Sequence, residues 1–217
     1  MIDAVLVTLM LAQSQTPQQS DPPYVSASPT RIGEARTRSA RSVTADSTSA
    51  IRMQALGRCV AQRLPTESAA LLRMNVATPQ YRYAARKLAW SDRSCMQGRQ
   101  ARFAPELFAG ALAEGLLSRT ADVATALTYD PAKPPVKAID DNDLVASCVA
   151  RTSPRDVAAL FATPAASAAE AAAIRGLTPV IGQCVTTGRQ ARFNRPGLRA
   201  LLATASFRIV QSGASAT

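Results

Sequence analysis

The sequence predicts an all-α protein: two tandem duplicated units of four to five short helices, one disulfide in each, after a disordered N-terminal segment. Three observations carry this expectation. The phrase Gly98-Arg99-Gln100-Ala101-Arg102-Phe103 recurs letter for letter as Gly188-Arg189-Gln190-Ala191-Arg192-Phe193. Cys59-Val60-Ala61 matches Cys148-Val149-Ala150, and Cys59 to Cys95 spans 36 positions, as does Cys148 to Cys184. Alanine and leucine dominate the apolar residues, β-branched residues are sparse, and only 5% of the chain is aromatic. That composition favours helices over strands.

Residues 4–12, Ala-Val-Leu-Val-Thr-Leu-Met-Leu-Ala, form an apolar run too short to span a bilayer. The run resembles the hydrophobic part of a secretory signal, so residues 1–12 are expected to be an atypical signal segment. It is atypical because Asp3 replaces the usual positive charge. Residues 13–50 are rich in Gln, Ser, Thr, Pro and Arg and nearly free of large apolar side chains. They are expected to be a disordered linker, because such a stretch buries too little apolar surface to offset its ordering entropy.

Unit one is expected over 51–118. Its first helix, about 50–63, carries Met53, Leu56, Cys59 and Val60 at helical spacing. Pro65 opens a second helix that runs through Met74, with Glu67 in its first turn. Thr78-Pro79 reads as an N-cap followed by proline at the first helical position. This third helix continues through Tyr83, Leu88 and Trp90 towards Cys95, and Gly98 stands where it would stop. Pro105 opens a last helix with Leu107, Phe108, Ala111, Leu112 and Leu116 expected along one side.

Residues 119–141, with Pro131, Pro134 and Pro135, read as a linker between units. Unit two is expected over 142–210, leaving 211–217 as a tail. Asp141, Asn142 and Asp143 offer caps for the Cys148 helix, and Ser153-Pro154-Arg155-Asp156 is a helix start. Ser167 with Glu170 three residues on is a capping box. Pro179 is expected to break the third helix of this unit, leaving the Cys184 segment as a separate short helix. A terminal helix follows from about Arg195 through Leu198, Leu201, Leu202 and Phe207.

Equivalent cysteine pairs in duplicated units imply the disulfides Cys59–Cys95 and Cys148–Cys184. Each would tie the first helix of its unit to the end of the third. A unit of this size buries little surface, so a cross-link worth about 3–4 kcal/mol in the chain-entropy model matters to its folding. Stable disulfides point to an oxidising compartment, hence to a periplasmic or secreted protein.

The units resemble a group of uncharacterised exported alphaproteobacterial all-α proteins. In these a Cys-Val-x helix, a proline-started Ala-Leu-Leu helix, a second cysteine and a final Leu-Arg-x-x-Leu-Ala helix recur. The matching residues are Cys59 and Cys148, Ala158 to Leu160, Cys95 and Cys184, and Leu198-Arg199 with Leu202-Ala203. The resemblance covers 51–118 and 142–210 and implies export and architecture, with no activity attached.

Several chemistries are disfavoured. The chain has no histidine, which removes the commonest general base and metal ligand. It also lacks C-x-x-C, a glycine-rich phosphate loop and G-x-S-x-G. No catalytic residue, cofactor or metal is therefore expected. Asp140, Asp141 and Asp143 form the one acidic cluster, read as helix caps ahead of a cation site.

The formal net charge is +10, and all but three of the 25 cations are arginines. Residues 51–129 carry 11 cations against 5 anions, and residues 130–217 carry 10 against 6. Scattered surface arginine is one reading of this excess. The other is an anionic partner. Arg99, Arg102, Arg189 and Arg192, present in both copies, are candidate anion-binding residues; covering helix C-terminal carbonyls is their plainer role.

Tyr81, Tyr83, Lys87 and Trp90 occur in unit one only, with Arg86 beside them. They form a candidate aromatic and basic patch, or else fill a larger core there. Together these readings point to a non-enzymatic binding or scaffolding protein of the cell envelope, without a transmembrane span. The expected partner is an anionic envelope component or a protein. A basic nucleic-acid-binding protein is the alternative.

Overall fold

The computed structural model describes residues 47–76, 78–96, 103–132, 135–185 and 193–214. These residues form α-helices and one 3-10 turn, with no strand among them. The helices are α1 (Ser47–Arg63), α2 (Pro65–Leu72), α3 (Pro79–Ser91), α4 (Pro105–Leu117), α5 (Val123–Leu127), α6 (Asp141–Thr152), α7 (Pro154–Ala162), α8 (Ala168–Cys184) and α9 (Arg195–Ala214); the 3-10 turn, Arg93–Met96, follows α3. The expected disordered linker and signal segment lie outside the described residues, apart from 47–50, which belong to α1.

Local chemistry places most helix starts. Proline takes the first helical position of α2, α3, α4 and α7, where its missing N–H costs nothing and its fixed φ suits the helix. Thr78 caps α3 by accepting a hydrogen bond from the Tyr81 N–H at 3.2 Å. Ser167 caps α8 in the same way, from the Glu170 N–H at 3.0 Å. The N-cap of α6 is Asp140, one residue before the expected set, and its carboxylate accepts from the Asp143 N–H at 2.9 Å. Asp143 in turn accepts from the Ile139 N–H at 2.8 Å and pairs with Arg208 of α9. The acidic cluster thus caps and clamps.

Two expected interruptions of the helical order fail. Residues 119–141 are not only a linker, because Asp122 caps the short helix α5 through the Thr125 N–H at 3.0 Å. That helix buries Leu127 fully. Its few apolar residues are too short a run to show helical periodicity. Pro179 does not divide α8, which runs unbroken to Cys184. Pro179 and Arg175 both sit on the exposed side of α8, so water can take the carbonyl that the ring leaves without a partner.

Four of these helices, α1 to α4, precede the short α5, and four, α6 to α9, follow it. The halves do not keep separate cores. One apolar cluster holds Met53, Val60, Leu71, Tyr81, Leu88, Phe108 and Leu112, together with Ala203 and Phe207 of α9. The other holds Val145, Val149, Val157, Leu160, Leu177, Leu202 and Ile209, with Leu127 of α5. Phe161, Val123 and Val210 border both.

The centre of the molecule is α4, packed against α1 on one flank and α9 on the other. Its buried residues surround the helix instead of following one stripe, because neighbours cover it on several sides. Small residues permit this. A Cβ on Gly57 would lie 2.3 Å from Ala111 Cβ, and one on Gly110 would lie 2.3 Å from Ala200 Cα. Both glycines let helix backbones approach to contact.

Candidate functional site

One face of α3 is the best candidate for a binding surface. At 100° per residue, Arg82, Tyr83, Arg86, Lys87 and Trp90 fall within an arc of about 140°, and all five are exposed. Tyr83 is 74% exposed and Trp90 49%. The opposite arc carries Tyr81, Ala85, Leu88 and Ala89, all buried. Core packing therefore fixes the helix's rotation and turns the aromatic and basic residues outward.

Charge on this face is one-sided. Between Pro79 and Met96 the cations are Arg82, Arg86, Lys87 and Arg93, and Asp92 is the sole acid. Asp92 is engaged elsewhere: it accepts from the Ser94 hydroxyl at 2.5 Å and amide at 2.9 Å, and pairs with Arg63 of α1. The Ser94 hydroxyl first, then the Ser94 amide and Arg63, hold the Asp92 carboxyl below its usual value despite the cost of desolvation. None of the four cations forms an ion pair with another described residue.

Tyr81 does not belong to this patch. It is fully buried, and its hydroxyl donates to the Pro105 carbonyl at 3.2 Å. Burial, and then the field of Glu106, push its phenol well above the usual value. Its place is structural: one helical turn after the cap, it fastens α3 to the start of α4. In the second half Glu170 takes the corresponding third position after Ser167, and fastens α8 to α9 with charge instead of an aromatic ring.

Both disulfides are formed as expected, Cys59–Cys95 and Cys148–Cys184. The first joins α1 to the turn directly after α3, so the exposed face of α3 is anchored at its C-terminal end. The second joins α6 to the end of α8. The candidate anion-binding residues Arg99, Arg102, Arg189 and Arg192 lie outside the described residues.

The largest feature that the sequence reading overlooked is a buried ion network around Glu114 and Arg199. Their side chains are 1% and 3% exposed. Arg199 meets Glu114 as a fork, Nε to Oε1 at 2.7 Å and Nη2 to Oε2 at 2.8 Å. It also donates to Glu170 Oε1 at 3.1 Å, to the Thr163 hydroxyl at 3.2 Å and to the Thr163 carbonyl at 3.0 Å. Glu114 accepts further from Arg58 at 2.8 Å and Gln54 at 2.6 Å. Glu170 adds Arg195 at 3.1 Å and the Ala166 amide at 3.0 Å.

Burial opposes the Arg199 charge. The hydrogen bonds and field of Glu114, then Glu170, outweigh it and raise the guanidinium above its ordinary value. The network joins α1, α4, α8 and α9, and so joins the halves. One clue existed in the sequence: Glu114 is the lone charge within the apolar run Leu107–Leu117. Such a charge in a buried helix requires a partner.

A cavity of about 20 Å³ opens beside this network, lined by Gln54, Ala165, Ala166, Glu170, Pro196 and Arg199 among others. It has room for about one water molecule, far below the size of a metabolite site. No group of three or more His, Cys, Asp or Glu side chains that could hold a metal occurs among the described residues. No described helix is long and apolar enough to cross a membrane.

The chain matches no family model, no curated protein sequence and no solved structure.

Proposed function

We propose that this is a non-enzymatic binding or scaffolding protein of the cell envelope, periplasmic or secreted, which holds an anionic partner on the outward face of α3. The observation that carries the reading is the segregation on α3: cations and aromatic rings share one exposed arc, and α3 itself carries no carboxylate to offset them. The scaffold supports it. Two disulfides suit an oxidising compartment and stiffen a helical body that presents a fixed surface. Export and kinship with the alphaproteobacterial group belong to this proposal, as does descent of the two halves from one duplicated unit.

The test has two parts. Natively purified protein is alkylated without reductant and weighed intact; no mass gain is expected. The protein is also passed over a sulfated-polymer column, where retention should fall when Arg86→Gln and Lys87→Gln are combined. Four alkylated thiols would overturn the envelope assignment, and would favour a basic nucleic-acid-binding protein if DNA mobility also shifted with steep salt dependence. Retention that ignores both substitutions would overturn α3 as the binding surface.

A further inference from the structure

We infer that the partner of the α3 face is the surface of a bilayer containing anionic phospholipid, on which the helix lies flat. This rests on the reading above that α3 is the binding surface, and adds what that surface recognises. Shape is the first argument. The exposed arc is the convex side of a helix about 20 Å long, and no α3 residue lines the cavity described above. A single-stranded polymer is usually held in a groove that follows its backbone; a plane needs only a ridge.

Composition is the second argument. Tyr83 and Trp90 stand two turns apart on the arc, about 10 Å along the axis, with Arg86 and Lys87 between them. Amphipathic rings sit at the headgroup level of a bilayer, while Arg and Lys reach lipid phosphates. The face contributes two rings and no aliphatic stripe, so it adheres without inserting deeply. Such binding is reversible and screened by salt.

Anchoring is the third argument. The Cys59–Cys95 disulfide and the Arg63–Asp92 pair secure the end of α3 that carries Trp90. The rings are thus presented by a fixed helix, and little ordering is needed on contact.

Trp90 is the one tryptophan of the chain, so intrinsic fluorescence reports this face directly. The experiment titrates the full, disulfide-intact chain with vesicles of phosphatidylglycerol mixed into phosphatidylcholine, and with phosphatidylcholine alone. Flotation is measured alongside Trp90 emission. With phosphatidylglycerol the protein should float and its emission should shift to the blue, both reversed by high salt; with phosphatidylcholine alone neither should occur.

Combining Arg86→Gln and Lys87→Gln removes two surface charges and should weaken partitioning on the order of thirty-fold. Both positions are exposed and Gln is a good helix former, and far-UV circular dichroism confirms the fold. Combining Arg155→Gln and Arg175→Gln, two exposed cations of the second half, removes the same charge elsewhere and should change partitioning only a few-fold. Equal weakening by the two pairs would overturn the inference, because net charge alone would then explain binding. Retention on the sulfated polymer without partitioning onto vesicles would overturn the bilayer and leave the proposed function standing. Failure to bind either would overturn both.

Discussion

Replacing Glu114 by Gln keeps the shape of the side chain and removes its charge. The native carboxylate accepts four hydrogen bonds: two from Arg199, one from Arg58 and one from Gln54. A glutamine offers one acceptor oxygen, and its amide group would face donors. With that oxygen at the Oε2 position the Arg199 Nε bond is lost and the donors that stay meet a neutral acceptor; with it at Oε1 the other three bonds are lost. Each charge-assisted bond is worth about 1.5–3 kcal/mol. Arg199, 3% exposed, keeps Glu170 as its one carboxylate. Breaking a buried pair in this way costs about 3–5 kcal/mol, a large part of the total stability of a domain this size.

Urea unfolding of the disulfide-intact protein, followed by circular dichroism, measures the cost. The midpoint should fall while the slope holds, since the native surface is little changed. Replacing both partners, Glu114→Leu with Arg199→Met, should be less damaging than Glu114→Gln, because no uncompensated charge remains between them. A Glu114→Gln loss below about 1 kcal/mol would refute the reasoning, since it would mean that water reaches the network and screens it.

Three further outcomes follow from the packing. Gly110→Ala forces a Cβ to within 2.3 Å of Ala200 Cα and should cost about 1–3 kcal/mol or more, whereas Gly176→Ala, which meets nothing within 4 Å, should stabilise by about 0.5–1 kcal/mol; thermal melts of both variants check the opposite signs. Ala166 has φ of 60°, a left-handed conformation that disfavours a side chain, so Ala166→Gly should leave stability unchanged or raise it by up to about 1 kcal/mol. Tyr81 is held neutral by the fold, with its phenol above the ordinary value of 10.0. That contribution is fully present below pH 10 and is lost as pH rises towards the folded value. Tyrosinate absorbance from Tyr81 should therefore appear together with loss of helix, and Tyr81→Phe should remove that coupling.

Much of the helical outline was legible because it rests on neighbours in the chain. Thr78, Ser167 and the prolines at the starts of α2, α3, α4 and α7 act within one turn. The cysteine spacing announced both cross-links. The outward arc of α3 was visible in part: Tyr83, Lys87 and Trp90 share a side by periodicity, yet Tyr81 could be assigned inward only once its neighbours were placed. The helix α5 escaped because five residues are too few for a pattern. The continuity of α8 past Pro179 escaped because the cost of proline depends on whether solvent reaches the freed carbonyl.

By itself the sequence determined most of the helices, the caps of α3 and α8 and the pairing of the cysteines, all of which depend on short-range chemistry or on spacing repeated along the chain. Only the tertiary structure decided that the halves share their packing through α4 and α9, and that Glu114, Glu170 and Arg199 meet in the interior. Glu114 and Arg199 stand 85 positions apart. A buried charge declares that it needs a counterpart, but which of the 22 arginines supplies it depends on where glycine and alanine let the helix backbones touch.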